Sequence, residues 1–243
     1  AVFGRFTRGF RMPDFDQWAF SPTAKGDVEE VLQGELGLKI NTPNVGIFAT
    51  AFYSSLTNIP FTDEVVVGGD IVQQRRFANS LTGGLELEAS AQYGNFSGDL
   101  TATLQQPEYR DFQFSLDEDG DGSLENFDFS GNRVRRIPRY VVTVRPQYDL
   151  GFVTASVSGR FYDERFTDDA NNTTLPAYYV LDASLMSEQG PVTLKVAGNN
   201  LTNTIGLTEG NPRVGQVVGV EQDIYMARPI LGRRFTASIT YNF

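Results

Sequence analysis

Neither cysteine nor histidine occurs anywhere in the 243 residues. The first absence excludes disulfides, thiolate metal sites and cysteine nucleophiles. The second removes the usual zinc ligand, the Ser-His-Asp triad and the commonest general base. Long apolar runs are missing too. Hydrophobic residues make up 40% of the chain, yet none form the run of about 20 that a membrane-spanning helix needs. Positive charge is scarce, with 20 Lys and Arg against 30 Asp and Glu. The net charge of −10 argues against nucleic acid as a partner, because phosphate binding needs a basic face. The opening Ala1-Val2-Phe3-Gly4-Arg5 lacks the basic and then apolar regions of a signal peptide. A mature chain or a fragment is therefore expected.

What is present is strict alternation of apolar and polar residues, the signature of half-buried strands. In the last segment Phe235, Ala237, Ile239, Tyr241 and Phe243 share one face, and Arg234, Thr236, Ser238, Thr240 and Asn242 share the other. Val153, Ala155, Val157 and Phe161 oppose Thr154, Ser156, Ser158 and Arg160. Leu85, Leu87 and Ala89 oppose Glu86, Glu88 and Ser90. Tyr140, Val142, Val144 and Tyr148 oppose Arg139, Thr143, Arg145 and Gln147. Segments 31–41, 96–105, 178–187 and 192–199 read the same way. Segments 1–11 and 45–59 are strand-like without a clear face. The tally is about ten strands, and β-strands can cross a membrane where diluted hydrophobicity rules out a helix.

The connections alternate in length. Those at 42–44, 94–95, 150–151 and 189–191 are short and rich in Gly, Pro and Asn, as tight turns require. Those at 13–27, 60–76, 111–137, 167–177 and 204–231 are expected to be long loops. Transmembrane barrels have this asymmetry, with short periplasmic turns and long extracellular loops. A soluble sandwich alternates in sequence too, but has no reason to gather its long loops at one end. Aromatic residues at strand ends (Tyr93, Tyr140, Tyr148, Phe161, Tyr241 and Phe243) suit the girdles of such a barrel. The expected fold class is all-β, a transmembrane antiparallel barrel, with Phe243 at the periplasmic side.

Several stretches carry a more specific resemblance. FGRFTRGFRMPDF at 3–15 contains Gly-Phe-Arg-x-Pro, VEEVLQGELGLK at 28–39 ends in Glu-x-Gly-Leu-Lys, and LTGGLELEASAQ at 81–92 holds Gly-x-Glu-x-Glu. RIPRYVVTVRPQYDL, YYVLDASL, VAGNNLTNTIGLTEGNPR with its Asn-Leu-x-Asn, and ARPILGRRFTASITYNF follow in order. Together they resemble the C-terminal barrel of TonB-dependent outer-membrane receptors, across nearly the whole chain. The resemblance implies a barrel of about 22 strands holding an N-terminal plug and energised through TonB. The chain, residues 1–243, would supply the last ten or so of those strands, with the plug and the earlier strands outside it. Implied partners are outer-membrane lipid, lipopolysaccharide, the plug, the other strands, TonB and a small-molecule ligand, with ferric siderophores favoured as the family's largest substrate class. The alternative is a self-contained small barrel acting as adhesin or pore, closed between 1–11 and 232–243. An outer-membrane hydrolase is disfavoured by the lack of histidine. No covalent chemistry and no required cofactor are expected.

Candidate site residues follow from these readings. Asp117, Asp119, Asp121, Ser123 and Asp128 lie in DEDGDGSLENFD, with Gly122 at the turn, which is the ligand spacing of an EF-hand-type Ca²⁺ loop. The twelfth residue is Asp rather than Glu, and no flanking helices are evident; a solvated acidic loop tip is the competing reading. Glu35, Lys39, Glu86, Glu88, Arg160, Asp182 and Lys195 are expected to line the lumen, pairing across strands or touching plug or solute. Arg75, Arg76, Arg133, Arg135 and Arg136 are expected in loops, where they could attract an anionic ligand, bind lipopolysaccharide phosphates or pair with nearby Asp. Phe243, an aromatic last residue after an alternating strand, resembles the signal read by the outer-membrane insertion machinery. The Asn-x-Ser/Thr matches at Asn95, Asn172 and Asn200 are read as chance.

Overall fold

Ten strands form one antiparallel sheet, and each is hydrogen-bonded to its sequence neighbours within that sheet. The computed structural model describes residues 1–12, 28–67, 70–116, 123–211 and 226–243. The sheet runs β1 (Val2–Arg11), β2 (Glu29–Asn41), β3 (Val45–Val67), β4 (Asp70–Tyr93) and β5 (Phe96–Arg110). It continues through β8 (Tyr140–Asp149), β9 (Thr154–Tyr162), β12 (Tyr178–Gln189), β13 (Val192–Asn199) and β16 (Arg234–Tyr241). Three two-stranded ribbons sit in the longer connections: β6 (Gln113–Leu116) with β7 (Glu125–Asp128), β10 (Arg165–Phe166) with β11 (Thr174–Leu175), and β14 (Leu207–Asn211) with β15 (Met226–Pro229). β1 and β16 are the two open edges, so the sheet is part of a barrel and does not close on itself.

The alternation gives the sheet two unlike faces. Direct partners share a face, so the register carries one face from strand to strand. Arg5 opposes Glu35, Thr50 opposes Glu86, Glu86 opposes Thr103, Thr101 opposes Thr143, and Thr143 opposes Arg160. The other face bears Leu36, Leu85, Val144, Leu185, Val196 and Ile239, all exposed, while Thr50, Ser54, Ser80 and Thr143 on the polar face are buried. The sheet therefore curls with its polar face inward. A water-soluble protein with that arrangement would leave many large apolar side chains wet, at about 1.5–3 kcal/mol each. Hydrocarbon around the convex face removes the penalty. Tyr140 and Tyr148 bracket Val142 and Val144 on the outer face of β8, and Tyr93, Phe96, Tyr241 and Phe243 mark the lower margin. All six strand-end aromatics named from sequence are exposed.

The faces that the sequence left open are settled by register. In β3, Phe48, Thr50, Phe52 and Ser54 share the inner face with Glu35 and Glu86. Two glycines permit close aromatic contacts there: a Cβ at Gly37 would lie 2.0 Å from the Phe3 ring, and one at Gly84 would lie 2.4 Å from the Phe52 ring.

The short connections are found as expected at one end, with left-handed glycines at Gly94, Gly151 and Gly190. One expected loop is corrected. The expectation of a long loop over 60–76 does not hold, because β3 runs on to Val67 and β4 starts at Asp70. The run Val65-Val66-Val67 and the pair Ile71-Val72 are β-branched, which favours extended backbone. At 23 and 24 residues and about 3.3 Å per residue, the two strands far outreach an apolar band about 25 Å tall. A bulge separates the membrane part from the extension. Asn58 takes φ +58° there; its N–H donates to Asn79 Oδ1 at 3.0 Å, and its side chain donates to the Val28 carbonyl at 3.0 Å. The connection at 13–27 lies outside the described residues.

Face polarity makes a direct prediction. Val144→Arg, at the middle of the outer band, is expected to cost about 2–4 kcal/mol of folding free energy. Thr103→Arg, on the inner face opposite Glu86, is expected to change stability by less than about 1 kcal/mol. Unfolding in lipid vesicles measures both, and equal costs would reverse the assignment of faces.

Candidate functional site

The inner face is the candidate site, and it falls into a paired upper part and an unpaired lower part. All seven residues expected to line the lumen lie on it: Glu35, Lys39, Glu86, Glu88, Arg160, Asp182 and Lys195. Glu35 accepts from Arg5 at 3.2 Å and from Gln33 at 2.6 Å. Higher on β1 and β2, Arg11 faces Glu29 at 3.7 Å. Arg160 donates to Asp182 at 2.6 Å.

Asp182 does a second job. Its other oxygen accepts the N–H of Asn200 at 2.7 Å. Asn200, 3% exposed and at φ +47°, spends its side chain on Thr204 and on the Leu231 carbonyl at 3.0 Å. Asn203, also left-handed, accepts from the Arg233 N–H at 3.0 Å. The Asn200-Leu201-Thr202-Asn203 motif is thus a corner that fixes the top of β13 against the chain entering β16. Asn200 is the residue that the glycosylation-type match had flagged as chance, and its role here is structural.

Lower down, none of Lys39, Glu86, Glu88, Asp99, Arg145 and Lys195 makes a side-chain hydrogen bond or ion pair among the described residues. Four of them, Lys39, Glu88, Asp99 and Arg145, line one recess of about 510 Å³ near the short turns, together with Phe48, Ser90 and Thr101. Asp99 and Arg145 were missed as site residues. The signal existed, because Arg145 sat on the polar face of its strand and Asp99 occupies the matching parity of β5. Charges of both signs left free on one concave wall can engage a complementary charged surface through charge-assisted bonds.

The loop arginines pair internally. Arg133 is buried, faces Glu164 at 3.6 Å and lies over the Phe166 ring at 4.2 Å; burial and the nearby Arg139 lower its pKa. Arg135 faces Asp169 at 3.3 Å and Arg136 faces Glu209 at 3.5 Å. Arg76 lies over Phe114 at 3.7 Å, within an aromatic cluster of Phe112, Phe114, Phe127 and Phe129. Of these, Arg135 meets an Asp, while Arg133 and Arg136 face Glu; Arg75 and Arg76 were expected in a loop but belong to β4. The side chain of Arg75 lies outside the described residues.

Of the proposed Ca²⁺ ligands, Asp117, Asp119 and Asp121 lie outside the described residues. Ser123 is exposed, and Asp128 closes β7 opposite Gln113. Asp128 accepts from the Ser130 N–H at 2.9 Å and from Gln113 at 3.0 Å. The Ser130 hydrogen bonds come first among the causes that lower its pKa. Phe243 lies just beyond β16, fully exposed, with its ring 5.2 Å from that of Tyr241.

An inside-out antiparallel sheet with a charged concave wall, girdle aromatics and all short turns at one end defines a transmembrane β-barrel segment. The family model for the TonB dependent receptor-like β-barrel matches residues 1–201, and the chain belongs to that family, whose barrels sit in the outer membrane of Gram-negative bacteria. Solved structures agree on the fold. The ferric yersiniabactin uptake receptor FyuA from Yersinia pestis superposes with a TM-score of 0.72 at 18% identity, over 100% of this chain and 35% of its own. The copper transporter OprC gives 0.74 at 16%, over 100% and 37%. The siderophore receptor PiuA from Acinetobacter baumannii gives 0.74 at 17%, over 99% and 33%. The chain therefore spans about a third of the length of these receptors. No curated protein sequence matches it.

The Asp182 junction is testable. Asp182→Ala removes the acceptor for Arg160 and for the Asn200 N–H and is expected to destabilise the barrel by about 1–3 kcal/mol. Asp182→Asn keeps one acceptor and should cost less. Vesicle unfolding midpoints rank the two, and a neutral Asp182→Ala would remove Asp182 from the junction.

Proposed function

We propose that the chain is the C-terminal barrel portion of an outer-membrane importer that takes up a scarce solute with energy delivered through TonB. The observation that carries this reading is the family match over residues 1–201. The two open edges of the sheet support it, since they suit pairing with the remaining strands. On this reading the unpaired wall of Lys39, Glu86, Glu88, Asp99, Arg145 and Lys195 meets a plug domain or the passing solute. The chemistry is binding and release, with no bond made or broken in the solute. A ferric siderophore is the proposed cargo, because FyuA and PiuA are named as receptors of that kind; the copper transporter OprC makes other metal cargo the alternative. The terminal Phe243 is proposed to mark the barrel for insertion, and the 117–128 segment to hold Ca²⁺ outside the cell.

Uptake of radiolabelled ferric chelate by cells carrying the intact protein, with and without TonB, tests the main reading. TonB-dependent uptake that disappears on deletion of the protein is the expected result. Uptake unchanged by deletion, together with a native polypeptide mass of only 26.9 kDa, would overturn it in favour of a small closed barrel. The double variant Glu86→Gln/Glu88→Gln should lower uptake about tenfold or more, as lost charge-assisted bonds of about 1.5–3 kcal/mol imply, while the barrel still assembles. Removing the final strand is expected to abolish insertion, read by heat-modifiable mobility of outer-membrane fractions. For the 117–128 segment, Ca²⁺ should protect the intact protein from proteolysis there; unaltered cleavage would leave Asp128 to hairpin pairing alone.

A further inference from the structure

Above the sheet, three successive connections are fastened to one another by side chains rather than by strand pairing. The first follows β5, the second follows β9 and the third follows β13. The Tyr109 ring is fully buried against Ala78 and Phe112, and its hydroxyl donates to Asp169 Oδ1 in the second connection at 2.6 Å. Asp169 is itself 8% exposed and faces Arg135 of the first connection at 3.3 Å. Asn171, at φ +61°, grips the Arg133 backbone from both sides: it accepts from the N–H at 2.8 Å and donates to the carbonyl at 2.9 Å. Arg136 adopts φ +67°, a backbone state that a non-glycine residue holds only when its surroundings fix it. Its N–H donates to the Phe166 carbonyl at 2.7 Å, and its guanidinium reaches Glu209 and the Gly210 carbonyl in the third connection. Arg165 of the second connection donates to the Leu207 carbonyl of the third.

We propose that Tyr109, Asp169 and Arg136 form a latch that joins the described parts of these three connections into one rigid wall of the barrel mouth. Asp169 is the pivotal residue, because a buried phenol and a guanidinium from two different segments converge on its carboxylate. Losing it removes one shared acceptor from both segments. The inference rests on placing these connections at the outer mouth. Its test needs no cargo, so it stands or fails separately from the uptake reading.

Spin labels at Leu124→Cys and Thr174→Cys, both exposed, report the distance between the first two connections in the intact protein in membranes. The parent should show one narrow distance distribution. Asp169→Ala and Tyr109→Phe should each widen it by about twofold or more, as expected when a locked segment gains access to open states. Tyr109→Phe keeps the ring in its aromatic cluster and deletes only the donor, so it remains informative if Asp169→Ala fails to assemble. Labels at Thr174→Cys and Thr208→Cys should respond in the same way to Arg136→Ala. A variant that assembles normally and keeps the parent width overturns the latch.

Discussion

A strand inside hydrocarbon has no water to satisfy its amides, so every N–H and C=O must find a partner on a neighbouring strand. That requirement explains the continuous order of paired strands from β1 to β16. It also dictates what the side chains do. With the backbone paired between strands, the outer face needs only apolar bulk, and the inner face is free to be polar. Alternation, girdle aromatics and a charged concave wall are all consequences of that one constraint.

The constraint relaxes above the membrane, and the structure changes character there. β3 and β4 extend beyond the span through a bulge held by Asn58 and Asn79. Elsewhere, short ribbons and side-chain bonds replace the long ladder. Phe112, Phe114, Phe127 and Phe129 build a small aromatic core of the ordinary water-soluble kind, and buried ions such as Asp169 and Arg133 appear only with partners. The chain is thus inside-out within the membrane and right-side-out at its mouth.

The functional wall shows the same division. Its upper charges are committed to one another, as Arg5 is to Glu35 and Arg160 to Asp182. Its lower charges are not, although Asp99 and Arg145 are direct cross-strand partners. A charge held in place without a counter-charge, on a concave surface beside a recess of about 510 Å³, suits a partner that supplies the complement. Free charges therefore distinguish the lower part of the wall from the upper part, whose charges pair with one another.

Period-two alternation determined about ten strands and the faces of most of them, because a residue's parity in a strand fixes its side of the sheet, and the alternation of short and long connections set the direction. That Glu35, Lys39, Glu86, Glu88, Arg160, Asp182 and Lys195 share one face followed from parity without any knowledge of contacts. Parity fails where the pattern is weak. Segment 45–59 mixes Thr, Ser and aromatics on both sides, and only its register with Glu35 and Glu86 placed Phe48 and Phe52 inward. The 60–76 segment lies between two alternating runs and reads as a connection, while its cross-strand pairing from Pro60–Phe77 to Val67–Asp70 makes it a hairpin. Which charges pair, and that Tyr109, Asp169 and Arg136 join three connections, was decided by the tertiary structure alone. Their contacts span 60 and 74 positions of the chain, and no periodic signal in a sequence records contacts made across loops that must fold back in space.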